Sequence, residues 1–184
     1  MTAMARPGRG GLPNHVLGLY LVIAAELMFF AGLVSALVVA RANLTVWIPA
    51  DQPRLPIPRT AFNTALLLLS GLTMRAARLA ARRALTDSRG WLAATAALGA
   101  MFVALQGVEW AHLLGYGITA QSSLASGFFY LIVGAHAAHV LVGLAVLLWL
   151  LARPRSLAWV EGGALYWTFV VLLWPPLYVL VFLA

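Results

Sequence analysis

The sequence predicts an all-α integral membrane protein, a bundle of five transmembrane helices forming a single domain over residues 1–184. Of its residues, 63% are hydrophobic and only 9% are charged, whereas a soluble domain carries roughly a quarter charged residues. The apolar residues are concentrated in five runs, and a helix needs about 20 such residues to cross a bilayer. Soluble globular and disordered classes are excluded, since disorder requires low hydrophobicity.

Each predicted span is an apolar run bounded by polar, basic or proline-rich residues. The first run carries Glu26 near its centre, and the connector after it is rich in proline, which denies the backbone a helix. The second run ends in arginines, whose long stems can reach the headgroups. The remaining runs are separated by a polar turn at 86–90, an uncharged loop and a charged loop at 153–161. The predicted spans are 16–40, 60–81, 91–114, 124–152 and 163–184.

The basic residues, all arginine, predict the orientation of the chain. The connectors after the first and third spans hold Arg41, Arg54 and Arg59, and the opposite side holds the other nine. The positive-inside rule then places the N-terminus inside and the C-terminus outside. The inverted orientation would require most arginines to be translocated. Because the arginines lie between apolar runs, we interpret them as topology signals and expect no nucleic-acid partner. The nine are Arg6, Arg9, Arg75, Arg78, Arg82, Arg83, Arg89, Arg153 and Arg155.

A stripe of small residues runs along the third span at a 4-3-4-3-4 spacing, which places its members on one helix face. Helices already in lipid associate through close packing, so we predict that a neighbouring helix packs on this stripe. The alternative is that alanine is simply common here. Gln106 and Glu109 lie on the opposite side, so we expect this helix to be buried between neighbours in this chain or in a partner. The stripe comprises Ala93, Ala97, Ala100, Ala104, Gly107 and Ala111.

Ionisable residues within the spans are functional candidates, because placing them in a membrane is costly. Counting 1.5 Å per residue from the span ends puts Glu26, His136 and His139 near a common depth. We therefore predict that Glu26 is hydrogen-bonded to one of the two histidines, which would reduce the cost of burying either group. The alternative is a protonated Glu26 satisfied by the backbone or by hydroxyls such as Ser35. Glu109 lies near the outer surface and is the weaker candidate.

The sequence predicts no catalytic, cofactor or metal site in this chain. Histidines at positions i and i+3 supply only two metal ligands, and haem held by two histidines needs them on facing helices. His112 and His15 do not share the depth of His136, so we expect hydrogen-bonded interior histidines instead. The absence of cysteine also excludes disulfides and thiolate metal sites.

Five segments in order resemble subunit III of the haem-copper respiratory oxidases. Ala25–Gly32 is similar to that family's Ser-Glu-x-Met-Phe-Phe-x-Gly segment, and Gly134–Val140 is similar to its Gly-x-His-x-x-His-Val segment. Together the matches cover nearly the whole chain, and its length fits the short five-helix bacterial form. Gly127–Tyr130 belongs to the same matching segment as Gly134–Val140, and the other three are Phe62–Gly71, Leu105–Trp110 and Tyr166–Val170 with Trp174.

The last span departs from the family pattern. Thr168 stands where the family usually has histidine, and Val171 stands where it has aspartate. Pro175 and Pro176 replace ordinary helix residues and are expected to kink the outer end of the span. The polar set that still matches, with a structural or proton-related role, is Glu26, Gln106, Glu109, His136 and His139.

The resemblance implies a non-catalytic subunit that docks on the catalytic subunit I and contacts other oxidase subunits. Haem and copper would lie in the partner, and this chain would bind phospholipid, add stability and support proton uptake, as a multi-pass protein of the bacterial inner membrane. One alternative is an accessory subunit of a nitric oxide reductase-type complex. Others are a small transporter or proton channel, although no internal repeat is visible, and a small b-type cytochrome.

Overall fold

The computed structural model describes residues 14–43, 47, 57–84, 88–152 and 156–183, and within them five helices are long and apolar enough to cross a membrane. These ranges contain no strand. The predicted all-helical fold with five candidate membrane spans is therefore confirmed. The helices are α1 (Asn14–Ala42), α2 (Ile57–Arg83), α3 (Ser88–Gly115), α4 (Leu124–Ala152) and α5 (Leu157–Tyr178), and α5 continues into a π-helical stretch, Val179–Leu183.

Some predictions concern residues outside the described ranges. The polar N-terminal stretch and most of the proline-rich connector belong to them, and the arginines among them are part of the argument for orientation. The inward position of the N-terminus therefore stays a prediction. The arginines and prolines concerned are Arg6, Arg9, Arg54, Arg153, Arg155, Pro49, Pro53 and Pro56.

Helix α5 begins earlier than predicted because Ser156 caps it. The Ser156 Oγ accepts a hydrogen bond from the Trp159 backbone N–H at 3.4 Å, which satisfies one of the free donors at the helix start. The helix therefore starts at Leu157 instead of Gly163, and the expectation that Glu161 lies in a loop is wrong. From the second turn of α5, Glu161 Oε1 lies 2.7 Å from Arg82 Nη2 at the end of α2. This ion pair joins two helices far apart in sequence.

The two prolines of α5 lie within the helix and do not end it. Helical backbone continues through Pro175 and Pro176 to Tyr178, and the Val179 N–H contacts both proline carbonyls. The π-helical stretch follows at once. Since proline cannot donate a backbone hydrogen bond, the change of hydrogen-bonding pattern next to the prolines has a local cause.

Trp167 occupies the centre of the bundle, where four helices meet. Helix α2 packs mainly on α3 and α5, while α4 packs on the same two helices. The Trp167 ring on α5 lies where Gly99 of α3 and Gly143 of α4 have no side chain. A Cβ at Gly99 would be 2.5 Å from the ring, and a Cβ at Gly143 would be 2.8 Å from it. The Trp167 Nε1–H donates to Ser70 Oγ of α2 at 3.1 Å, so one buried side chain connects α2, α3, α4 and α5.

The predicted small-residue stripe of α3 does not pack against another helix in the described ranges of the chain. All six of its residues are exposed, and a Cβ at Gly107 would meet nothing within 4 Å. The opposite face, which carries Gly99, Gln106 and Glu109, is buried instead. The physical reason is that amide and carboxylate groups are expensive to leave in lipid, while alanine is not. Of the two neighbours left open, a helix of this chain or a helix of a partner, the described helices do not supply the first, and a partner remains the prediction.

Candidate functional site

Glu26 on α1 and His139 on α4 form a hydrogen-bonded pair. The Glu26 Oε2 lies 2.8 Å from His139 Nε2, which confirms the predicted bond and assigns it to His139. The other ring nitrogen, Nδ1, lies 2.7 Å from the Ala135 carbonyl oxygen one turn earlier. Helix α1 makes its main contacts with α4 and α5, so this bond lies on a lightly packed boundary.

The contacts of the two His139 ring nitrogens determine where the hydrogens of the pair can lie. A backbone carbonyl can only accept, so Nδ1 of His139 carries a hydrogen and donates it to Ala135. The contact at Nε2 then takes one of two forms: a protonated Glu26 donates to a neutral ring, or an imidazolium donates to an ionised Glu26. Both forms hold one proton between Oε2 and Nε2. The pair can therefore relocate a proton with little movement of heavy atoms.

The Glu26–His139 pair is only partly enclosed. The Glu26 side chain is 30% exposed and that of His139 is 17% exposed, so both can be reached from the outside of the bundle. Phe30 places its ring edge-on against His139, with centroids 5.2 Å apart, and the Tyr166 hydroxyl donates to the His139 carbonyl at 3.3 Å. Residues from α1 and α5 thus hold the histidine in place while leaving one side open.

His136 points away from this pair into the aromatic core. It is fully buried, its ring stacks on Trp174 with centroids 4.8 Å apart, and Phe102 meets it edge-on. Neither of its ring nitrogens has a hydrogen-bond partner in the described part of the chain. The expectation that both interior histidines are hydrogen-bonded is therefore wrong for His136, because the rings around it offer no acceptor to its nitrogens.

Gln106 and Glu109 lie at the α2–α3 boundary. The Asn63 side-chain amide donates to the Phe102 carbonyl oxygen at 3.2 Å and to Gln106 Oε1 at 3.4 Å. One turn further along α3, Glu109 is 8% exposed and its Oε1 lies 3.8 Å from Arg59 Nη1. Glu109 is thus more buried than a residue near the membrane surface was expected to be. The five residues of the predicted polar set therefore lie at three separate positions: the Glu26–His139 pair, the aromatic core around His136, and the α2–α3 boundary with Gln106 and Glu109.

Several side chains that form hydrogen bonds between helices were not predicted from the sequence. Asn63 connects α2 to α3, which its membership of a family-like segment alone does not predict. Thr64 and Ser70 of the same segment accept hydrogen bonds from the Nε1–H groups of Trp174 and Trp167. The sequence signal for these bonds is the grouping of three polar residues in one apolar helix. Buried tryptophan N–H groups usually need an acceptor, and such a group can supply it.

The described residues bring together no group of three or more His, Cys, Asp or Glu side chains that could hold a metal ion. The fold and the site define a class: a polytopic helical membrane protein with isolated polar pairs within its candidate spans. Comparison with known proteins identifies the family. A family model for cytochrome c oxidase subunit III matches residues 11–184. The chain belongs to the cytochrome c oxidase subunit III family.

Individual relatives agree with the family match. The chain is 34% identical to a cytochrome c oxidase subunit 3 from Synechocystis sp., covering 96% of this chain and 78% of the relative. It is 32% identical to a cytochrome c oxidase subunit 3 from Corynebacterium diphtheriae, covering 99% and 94%. A probable subunit 3 from Nocardia farcinica is 33% identical, covering 92% and 88%. The resemblance found in the sequence is confirmed, and the nitric oxide reductase and transporter alternatives are not favoured.

Proposed function

We propose that this chain is a non-catalytic subunit III that docks on the catalytic subunit I of a haem-copper oxidase and supports its proton supply. The observation that carries the proposal is the Glu26–His139 pair. Two side chains 113 residues apart in sequence meet at 2.8 Å, a distance at which they can share one proton. Both belong to segments shared with the family. Haem and copper are expected in the partner subunit, where oxygen is reduced.

The outer face of α1 supports a docking or lipid-binding role. Of the side chains described on α1, only Phe30 and Leu37 are buried in the bundle. Leu21 and Met28 are 64% and 72% exposed. Apolar side chains on a spanning helix need either lipid or another helix around them. We infer that α1 and its flanks contact subunit I, phospholipid or both.

The proposed orientation has the N-terminus inside and the C-terminus outside, in the plasma membrane of a bacterium. The arginines at the end of α2 and the start of α3 support this orientation by the positive-inside rule. Because the sequence has no cysteine, single cysteines report position without background. Ala84→Cys is expected to be shielded from an impermeant maleimide in right-side-out vesicles, and Thr119→Cys is expected to react. Labelling of Ala84→Cys with protection of Thr119→Cys would indicate the opposite orientation and contradict the proposal.

Purification from the native membrane tests the docking proposal. The full-length chain, tagged and extracted in mild detergent, is expected to bring with it a subunit whose absorption spectrum shows haem and whose metal content includes copper. A preparation containing only copies of this chain, without haem, would favour transport instead. A haem band that stays with the chain after the partner is stripped would indicate a b-type cytochrome.

A further inference from the structure

Helix α1 is the least embedded of the five candidate spans. In its most apolar stretch 11% of the residues are buried, against 33% to 39% in each of the other four helices. The buried side chains described on α1 are Phe30 and Leu37. Helices in lipid gain nothing from the hydrophobic effect when they associate, so a helix with few close contacts is held weakly. A polar contact can therefore decide how firmly α1 stays on the bundle.

The Glu26–His139 contact lies within the seam by which α1 touches the bundle. The side chains of this seam recur every three or four residues, which places them on one face of the helix. Phe30, one turn after Glu26, packs edge-on against the same His139 ring at 5.2 Å between centroids. Movement of α1 away from His139 would thus break a polar and an apolar contact together. The seam comprises Ile23, Glu26, Phe30, Leu33, Val34 and Leu37.

The two contacts of the His139 ring need two hydrogens. Its Nε2 lies 2.8 Å from Glu26 Oε2, and its Nδ1 lies 2.7 Å from the Ala135 carbonyl oxygen. An ionised carboxylate and a carbonyl can only accept, and a neutral imidazole carries a single hydrogen. The second hydrogen is therefore the shared proton, carried either by the Glu26 carboxyl group or by the ring as an imidazolium.

Loss of the shared proton leaves one of these two contacts without a hydrogen. If the remaining hydrogen is on Nδ1, the lone pair of Nε2 faces the Glu26 carboxylate, and two acceptors at 2.8 Å repel each other. Moving the hydrogen to Nε2 would create the same repulsion at the Ala135 carbonyl oxygen. Ala135 and His139 belong to one helix, which fixes their distance, whereas Glu26 comes from a weakly held helix. The contact between the helices is therefore the one that opens.

The other titratable and charged groups on the helices around the pair do not replace this proton. The Tyr166 hydroxyl of α5 donates to the His139 carbonyl oxygen at 3.3 Å, so it holds the backbone and not the ring. His136 of α4 points into the aromatic core. Glu161, the charged side chain described on α5, is paired with Arg82 of α2 at 2.7 Å. On α1 itself the titratable side chains described besides Glu26 are Tyr20 and Arg41, about 9 Å and about 22 Å away along the helix axis.

We propose that the Glu26–His139 pair is a proton-dependent latch, which holds α1 against α4 and α5 while the shared proton is present and lets α1 move outward when the proton leaves. The latch opens as the pH rises. Addition of a further proton keeps it closed, because an imidazolium N–H can still donate to a protonated carboxyl group. The inference deepens the proton-related role proposed for this pair and rests on it, since it assigns a movement of α1 to the loss of the proton. A subunit in contact with the exposed face of α1 would sense that movement.

Two spin labels measure the position of α1 against α5. The Leu19 Cδ2 lies 3.9 Å from the position of a Cβ at Gly162, so the two helices are close there. Because the chain has no cysteine, Leu19→Cys/Gly162→Cys places one nitroxide on each helix and nowhere else. The purified full-length chain is reconstituted in nanodiscs, and dipolar broadening is recorded from about pH 6 to about pH 10. We expect the ratio of broadened to unbroadened spin pairs to fall about tenfold as the pH rises.

Three variants in the labelled chain separate the latch from general effects of pH. Glu26→Gln keeps a donor toward Nε2 at every pH, so the broadening should stay constant. Glu26→Ala removes the contact and should give the weakly broadened spectrum throughout. Tyr166→Phe removes the other titratable side chain next to His139 and should preserve the pH response.

A constant spectrum with Glu26 and His139 both present, or an equal pH response in the Glu26→Gln chain, would overturn the latch. The proposed function is judged separately, by the haem and copper that copurify and by sustained oxygen consumption. A constant spectrum together with a copurified haem-copper subunit would therefore reject the latch and leave the docking role in place. A pH response that depends on Glu26 in a chain that recovers no haem would support the latch and count against docking.

Discussion

The imidazole of His136 stacks on the indole of Trp174, with ring centroids 4.8 Å apart and an interplanar angle of 28°. His136 has no exposed surface and no hydrogen-bond partner for either ring nitrogen within the described part of the chain. A buried polar atom without a partner costs free energy. The ring therefore contributes to the bundle through packing with its aromatic neighbours.

His136→Phe is expected to leave thermal stability unchanged or to raise it slightly, because an apolar ring keeps the stacking and removes the unpaired nitrogens. His136→Ala should lower the free energy of unfolding by about 3 kcal/mol through the cavity it leaves. Thermal unfolding of the purified chain in detergent measures both. If the phenylalanine variant is as unstable as the alanine variant, a hydrogen bond to His136 must exist and the packing account fails.

Gly99→Ala should destabilise the bundle by about 1–3 kcal/mol, because its methyl group would lie 2.5 Å from the Trp167 ring. Gly107→Ala on the same helix is the matched control, since its methyl group would meet nothing within 4 Å in this chain. The two variants add the same atoms to one helix and are compared by melting temperature in detergent. Equal stability of the two would show that Trp167 moves aside at little cost.

Glu26→Gln should leave assembly of the complex intact, because a glutamine amide can still donate a hydrogen bond to His139 Nε2. It cannot, however, release or accept a proton. We expect oxygen consumption to start at the normal rate and to decline sooner during sustained turnover, while the haem spectrum stays unchanged. The control is Gln121→Glu in the exposed loop after α3, which should have no effect. An altered haem spectrum in the Glu26→Gln complex would contradict a role outside the oxygen site.

The exposed stripe of α3 is expected to pack against a helix of a partner subunit. Ala104→Leu should therefore reduce recovery of the partner about tenfold while leaving the melting temperature of the isolated chain unchanged. Ala61→Leu, at an exposed alanine of α2, is the comparison. Unchanged recovery of the partner with Ala104→Leu would mean that lipid covers the stripe.

Depth along the membrane could be predicted from sequence, and rotation about the helix axis was harder to predict. Glu26 was expected to meet either His136 or His139, because a fixed rise per residue converts sequence position into depth. Which histidine would turn toward α1 depended on packing in three dimensions. That choice was settled by the fit of His136 against Trp174, which sequence periodicity does not encode.

The buried face of α3 shows the limit of reading packing from small residues alone. The stripe gave a regular pattern, but α3 is closely approached at Gly99, outside that pattern, because a tryptophan from α5 needs the space. Gln106 and Glu109 were a better guide to the interior, since polar groups are driven out of lipid. Ser156, a residue typical of helix starts, could have placed the beginning of α5 correctly.

The placement of Glu26 has a consequence for biogenesis. Helix α1 is synthesised before the other four described helices, yet the histidine that receives its carboxyl group is 113 residues further on, in α4. Until that helix leaves the translocon, the carboxyl group has no such partner, and its burial in lipid is costly. The α2–α3 hairpin, joined by a short connection, can close in the meantime. The first of the five described helices to be synthesised is thus among the last of them to settle.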